Sequence, residues 1–256
     1  MLSKVNRFPE IDILKGLAVI LMVIFHFFYI FYLVGKPLVN MDNELLILMA
    51  TISHYLFIVL FGVNLSISYQ NNKENKKKYY KTQLKRFCMF TFLAILITTL
   101  TYFVFPTKFV IFGIFHFLAL STIVAQLFIM NKNTTIFGMC LFLSAYIYIN
   151  NNPTLLYNKC LNTPLICFIT GFANINYNSI DHFNFIPFFS IVLAGMFIGQ
   201  HIYTNGNRQI DLSELDKLTE SKKNKTLNTL SYISKNTIPI YVIHWIILIA
   251  IVLLYN

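Results

Sequence analysis

Charge is what this sequence has least of: 12% of its 256 residues are Asp, Glu, Lys or Arg, while 57% are hydrophobic and the mean hydropathy is +0.64. An ordinary soluble domain carries about 25% charged residues, so these proportions exclude one. Cysteine is scarce as well. The four cysteines, at 88, 140, 160 and 167, show no metal-ligand spacing, and no metal is expected. Two of them lie in apolar runs, where they act as small hydrophobes, and Cys160 and Cys167 can pair if their loop faces an oxidising exterior. There is no internal repeat, no glycine-rich phosphate loop, and no low-complexity tract beyond one lysine run. The first apolar run is too long for a signal peptide and lacks a small-residue cleavage site, so it is expected to stay as a signal anchor. One domain over 1–256 is the simplest organisation.

What is present is apolar length. Runs long enough to span a bilayer occur at roughly 10–34, 44–69, 84–105, 109–130, 134–150, 186–204 and 229–255, which predicts an all-α, polytopic membrane bundle of about seven helices. The net charge of +10 raises nucleic acid as a partner, but position decides otherwise. The linker 71–86 alone carries seven basic residues, a cytoplasmic signature. Threading onward puts seventeen Lys and Arg inside and only Lys36, Lys108 and Lys159 outside, with the N-terminus cytoplasmic and the C-terminus external. That pattern belongs to a multi-pass protein of the cell membrane, not to a nucleic-acid binder. The stretch 155–173 is apolar but interrupted, and counting it as a span would turn the basic 208–225 loop outward. It is read as external or re-entrant.

Against this background the ionisable residues inside apolar runs stand out. Asp12, Lys15 and His26 fall within roughly a 60° arc of the first helix, with His26 ~16 Å beyond Lys15, near mid-bilayer. His116 follows Gly113 on the fourth run, ~10 Å from its external start if that run begins near Phe109. His244 sits with Tyr241 on one face of the last run, ~13 Å beyond Lys235, after Pro239, whose ring frees a backbone carbonyl that His244 can satisfy. His54, His182 and His201 are placed nearer helix ends. Gly195 and Gly199, four apart, suit close helix packing. Asp181 is the one acidic residue of the external half after Glu44, able to hold a histidine protonated or to bind a hydroxyl or amine. Arg86 closes the basic linker, as a headgroup anchor or a phosphate clamp.

Four of these segments together resemble a known family. Asp12-Ile13-Leu14-Lys15-Gly16 followed by His26 is similar to the first-helix signature of the transmembrane acyltransferases. Phe112-Gly113-Ile114-Phe115-His116, Asp181 to Phe189, and Ser234 to His244 resemble, in order, elements of the heparan-α-glucosaminide N-acetyltransferase catalytic-domain family. The match differs in detail: Lys15 stands where arginine is usual, Asn184 replaces a proline, Phe188 stands where tryptophan is common, and Trp245 where glutamine is usual.

The resemblance implies an integral-membrane O- or N-acyltransferase. It would move an acyl group, acetyl above all, from cytoplasmic acyl-coenzyme A to an extracytoplasmic sugar, glycan or similar acceptor. His26 would serve as base or nucleophile, with Asp12, His116, Asp181 and His244 as the other catalytic candidates. Lys15 and Arg86 would hold the coenzyme A. A second reading of the same residues is a proton-coupled transporter or flippase, with His26, His116 and His244 relaying protons. Transporters are commonly built from internal repeats, and none is visible here.

Overall fold

The computed structural model describes residues 7–153, 156, 160, 162–172, 179–205, 207–220 and 224–255. Among these, ten α-helices run α1 Pro9–Leu33, α2 Glu44–Gln70, α3 Lys76–Val104, α4 Ile114–Val124, α5 Lys132–Asn151, α6 Pro164–Thr170, α7 Phe185–Ile202, α8 Ser213–Glu220, α9 Lys225–Lys235 and α10 Thr237–Tyr255. A 3-10 turn, Ala125–Leu127, extends α4, and a two-residue hairpin pairs β1 Tyr203–Thr204 with β2 Asn207–Arg208. The helix starts are chemically marked. Pro9 opens α1 with Glu10 and Asp12 in the first turn, favourable against the helix dipole. Asn75, Asn131 and Asn224 cap α3, α5 and α9 by accepting the N–H of Lys78, Thr134 and Leu227.

The chain is all-α and built for a membrane. Four helices, α1, α2, α3 and α7, are long and apolar enough to cross one, and α9 with α10, bent by 82°, would make a fifth if counted as one span. Three of the seven expected runs differ: 134–150 forms α5, which is long enough but is not among the four, and the other two differ for identifiable reasons. In the run 109–130, helix begins only at Ile114, because the backbone before it pairs with a distant loop, leaving a shorter apolar helix over Ile114–Leu127. In the run 229–255, the chain turns at Asn236, so His244 does not lie one straight rise above Lys235. Pro239 falls in the first turn of α10, where a missing N–H breaks no helical bond, so it frees no carbonyl for His244.

The chain divides into two compact units, 1–60 with 210–256, and 61–209. In the first, α1 packs against α8, α9 and α10. Its closest approach is at Gly16, where the Leu230 backbone carbonyl of α9 occupies the place a Cβ would take. Ala18 and Val19 are buried just beyond, and the Ser53 hydroxyl of α2 donates to the Ala18 carbonyl at 2.9 Å.

In the second unit α7 is central, packed on α5, α4 and α6. Gly62 of α2 abuts the Val192 carbonyl and Gly199 abuts Ser66, so the four-residue glycine spacing on α7 admits α2 at backbone distance. Beside it lies a phenylalanine core, with Phe142 and Phe185 at 4.7 and 4.9 Å from Phe189. Cys160 and Cys167 form a disulfide. At seven residues α6 is too short to span. The rest of 155–173, Lys159 included, lies partly outside the described residues.

The contact at Gly16 makes a direct prediction. Gly16→Ala forces α1 off the Leu230 backbone, and overpacking of this kind costs about 1–3 kcal/mol. Thermal unfolding in detergent should show a lowered Tm, whereas the exposed neighbour Leu17→Ala should leave it nearly unchanged.

Candidate active site

In the first unit three rings meet around His26 of α1. Its ring centroid lies 5.2 Å from that of His244 and 5.4 Å from that of Trp245, both on α10, which are themselves 5.8 Å apart. The three rings form a triangle. Tyr241, one turn before His244, meets it edge-on at 5.0 Å, as their shared helical face predicts. His54 of α2 lies within electrostatic reach of His26.

The hydrogen bonding of this triangle is incomplete. His26 Nδ1, His244 Nε2 and Trp245 Nε1 are shielded from solvent and have no hydrogen-bond partner among the described residues. The His26 ring passes near the Met22 carbonyl one turn below without reaching hydrogen-bond geometry through Nδ1. His244 Nδ1 is 3.3 Å from the Ile240 carbonyl, which can only accept, so Nδ1 carries the hydrogen and Nε2 presents a lone pair. Each buried polar group left unpaired costs about 1–3 kcal/mol. Here three such groups lie on neighbouring rings.

Asp12 does not join them. The Ser234 hydroxyl of α9 donates to its Oδ1 at 2.8 Å, and Arg7 approaches Oδ2 at 3.9 Å. Fourteen residues along one helix put it ~21 Å from His26. Its position braces the start of α1 against α9. Lys15 follows one turn on, half-buried.

In the second unit, His116 occupies the first turn of α4, not the depth its apolar run suggests. The Thr98 hydroxyl of α3 donates to the Val110 carbonyl at 2.9 Å and stands 3.5 Å from His116 Nε2. Asp181 comes to the same helix from a segment 67 residues later in sequence: its Oδ2 accepts the Ile114 N–H at 3.2 Å. Phe183 N–H to Phe112 carbonyl, Ile180 N–H to Lys108 carbonyl, and the Ser179 hydroxyl hold the two segments parallel. Gly113 is required there, because a Cβ would collide with the Asp181 carboxylate. Its acceptors are thus committed to backbone N–H groups of Ile114 and His182, not to an imidazole. Asp181 caps α4. His182 stacks on Phe168 of α6 at 3.7 Å and donates from Nε2 to the Phe168 carbonyl at 2.8 Å, with burial lowering its pKa.

Arg86 of α3 is not a free headgroup anchor. Half-buried, it donates to Gln83 Oε1 at 3.1 Å, and Gln83 in turn donates to Ser68 of α2 at 3.1 Å. Tyr79, which interacts electrostatically with the guanidinium, donates to Gln126. Among the described residues no carboxylate pairs with this cation. A cation held in a polar cluster without an acid is a natural seat for an anion.

Comparison with known proteins gives the family. A family model described as heparan-alpha-glucosaminide N-acetyltransferase, catalytic, matches residues 7–246. The chain belongs to that family. No curated protein and no solved structure matches it. Membership makes it a transferase of the acetyltransferase type, and its apolar helices make it a membrane protein. The matched range contains every residue described above, including two that sequence reasoning passed over in this acetyltransferase-family chain. His54 had looked terminal, yet it lies ten residues into α2, ~15 Å from its start. Trp245 had registered only as a departure from the family pattern; its signal was adjacency to His244.

Asp181 gives a pH prediction. Burial raises its pKa from 3.8 to about 6, against the opposing pull of the Ile114 and His182 N–H groups. The folded state therefore binds the proton more tightly, and the resulting stabilisation is complete below about 3.8 and lost as pH rises through about 6. Relative to Asp181→Asn, the wild type should be more stable near pH 4 than near pH 7 by up to about 3 kcal/mol, read by unfolding in detergent.

Proposed function

We propose that the protein is an O- or N-acyltransferase that moves an acetyl or similar acyl group from cytoplasmic acyl-coenzyme A to an extracytoplasmic glycan or related acceptor, with His26 as base or nucleophile. The observation that carries this reading is the unpartnered Nδ1 of His26 beside the unpartnered Nε2 of His244. An imidazole with an unpartnered nitrogen in an apolar surrounding suits proton abstraction from an acceptor, or transient acylation. Arg86 binds a phosphate of the donor, and Lys15 is the cation of α1 in the same role. His116 and Asp181 serve the acceptor end, Asp181 by fixing the start of α4. Asp12 supports the first helix.

The orientation belongs to the same proposal. The basic linker 71–86 is cytoplasmic, as is the N-terminus, and the C-terminus lies outside in a plasma membrane, with the count of spans approaching seven when the shorter apolar helices are included. The Cys160–Cys167 disulfide supports an oxidising side for its loop. The family match runs through both compact units, which supports a single catalytic domain over 1–256.

Purified protein with labelled acetyl-coenzyme A and a glycan acceptor tests this. His26→Ala should lose roughly 10² to 10⁴ fold in transfer, the scale of general-base catalysis. Full activity in that variant removes the central residue, and substrate flux across proteoliposomes without any coenzyme A points to a transporter instead. Arg86→Gln should raise KM for acetyl-coenzyme A about ten- to a hundredfold while kcat changes little, as expected when a charge-assisted bond to bound substrate is lost.

A further inference from the structure

Trp245 is the sole tryptophan of the chain, only 2% exposed, and its side chain has one polar atom. That Nε1–H can donate and cannot accept. Among the described residues it has no acceptor, and its ring packs on both His26 and His244. A phenylalanine would supply the same apolar packing and leave no unmet donor, so packing does not account for the indole nitrogen. His244 cannot satisfy it within the helix, since the two residues are adjacent and Nε2 remains unpartnered as well. What the indole lacks is an oxygen beside His26.

We propose that Trp245 Nε1–H is the donor that binds the carbonyl oxygen of the acyl thioester and stabilises the negative charge that develops on it during transfer. The assignment rests on the acyltransferase reading. In the transfer step the acceptor's oxygen or nitrogen attacks the thioester carbonyl carbon while His26 takes its proton. The new bond to carbon forms and the carbonyl π pair moves onto oxygen, where it accepts the indole N–H. When that pair returns, the carbon–sulfur bond breaks, and the departing coenzyme A thiolate takes the proton from His26. If His26 itself attacks first, the same oxyanion forms at the same oxygen. A fixed donor in a site shielded from water acts there without reorganisation.

Two measurements test the assignment. Trp245→Phe keeps an aromatic ring and removes the donor, so kcat should fall about 10²-fold with KM for acetyl-coenzyme A little changed. Trp245→Gln, which restores an N–H, should recover part of that loss. Because the chain has a single tryptophan, ultraviolet resonance Raman of the wild type reads this indole alone. The ring mode sensitive to hydrogen bonding at Nε1 should shift on saturation with acetonyldethio-coenzyme A, in which a methylene replaces the thioester sulfur so that the carbonyl stays in place and no thiolate can leave, and not with coenzyme A itself. Wild-type kcat in Trp245→Phe, or an unshifted mode with the analogue bound, overturns the assignment and leaves the acyltransferase reading standing. If the wild type neither binds the analogue nor transfers acetyl groups, both fall. Should Trp245→Phe fail to fold, the Raman result on the unaltered protein decides alone.

Discussion

A hydrogen-bonding group inside a membrane bundle has only the protein to turn to, and that constraint organises the structure. Most polar side chains obey it locally. The hydroxyls of Thr101 and Thr122 donate to carbonyls one turn back, at 2.8 Å each, and Ser53 spends its proton on the Ala18 carbonyl of another helix. Such bonds let serine and threonine sit in apolar helices at little cost. Among the described residues six buried side-chain atoms break the rule. Three of them, Ser66 Oγ, Ser121 Oγ and Gln200 Oε1, belong to the second unit: two rotatable hydroxyls, and an amide whose nitrogen already bonds the Ile129 carbonyl and Thr135. The other three are ring nitrogens in mutual contact in the first unit. A planar ring fixed by packing cannot rotate to find a partner as a hydroxyl can. Unmet demand concentrated at three rigid rings is therefore a different kind of exception.

Helical periodicity made much of this legible. Apolar run length announces an all-α membrane protein, and the stripe of Asp12, Lys15 and His26 follows from a period of 3.6. The partnership of Tyr241 with His244 is local, and it is found as expected. What the sequence conceals is pairing over distance and the breaking of apolar runs. Nothing local joins Ser234 to Asp12 across 222 residues, or Asp181 to the start of α4. The run holding His244 is apolar only on average, since Ser234-Lys235-Asn236-Thr237 interrupts it, and it turns by 82° there, where Asn236 ends one helix with its backbone N–H turned back to Tyr232 and Ile233. Hydropathy averages over such a break. Depth estimates that count residues along one axis fail with it, for His244 as for His116.

The acidic residues of two family-like segments both stand at helix starts. Asp12 and Asp181 each head a segment resembling the family, and each is committed to bracing: Asp12 to a hydroxyl of α9, Asp181 to backbone N–H groups at α4. A carboxylate at a helix start is favoured by the free N–H groups and the dipole, which is reason enough for both positions. Both braces act on helices that carry a histidine. Asp12 fixes the entry of the helix that carries His26, and Asp181 fixes the first turn that carries His116.

One chemical consequence follows for the ring cluster. In a serine-protease triad a buried carboxylate orients the imidazole and stabilises the imidazolium formed on proton transfer. Here the described neighbours of His26 are His244, Trp245, Phe25 and His54, all without negative charge. Among the described residues no carboxylate acts on His26, so an imidazolium there would find its counter-charge in an oxyanion forming beside it. Proton abstraction and oxyanion formation are then mutually dependent, since each charge stabilises the other at short range in a poorly screened site. Such a base suits a substrate whose leaving group quickly takes the proton back. A thiolate leaving as a free anion does this directly, which makes a thioester donor a chemical match for a histidine that has no acid behind it.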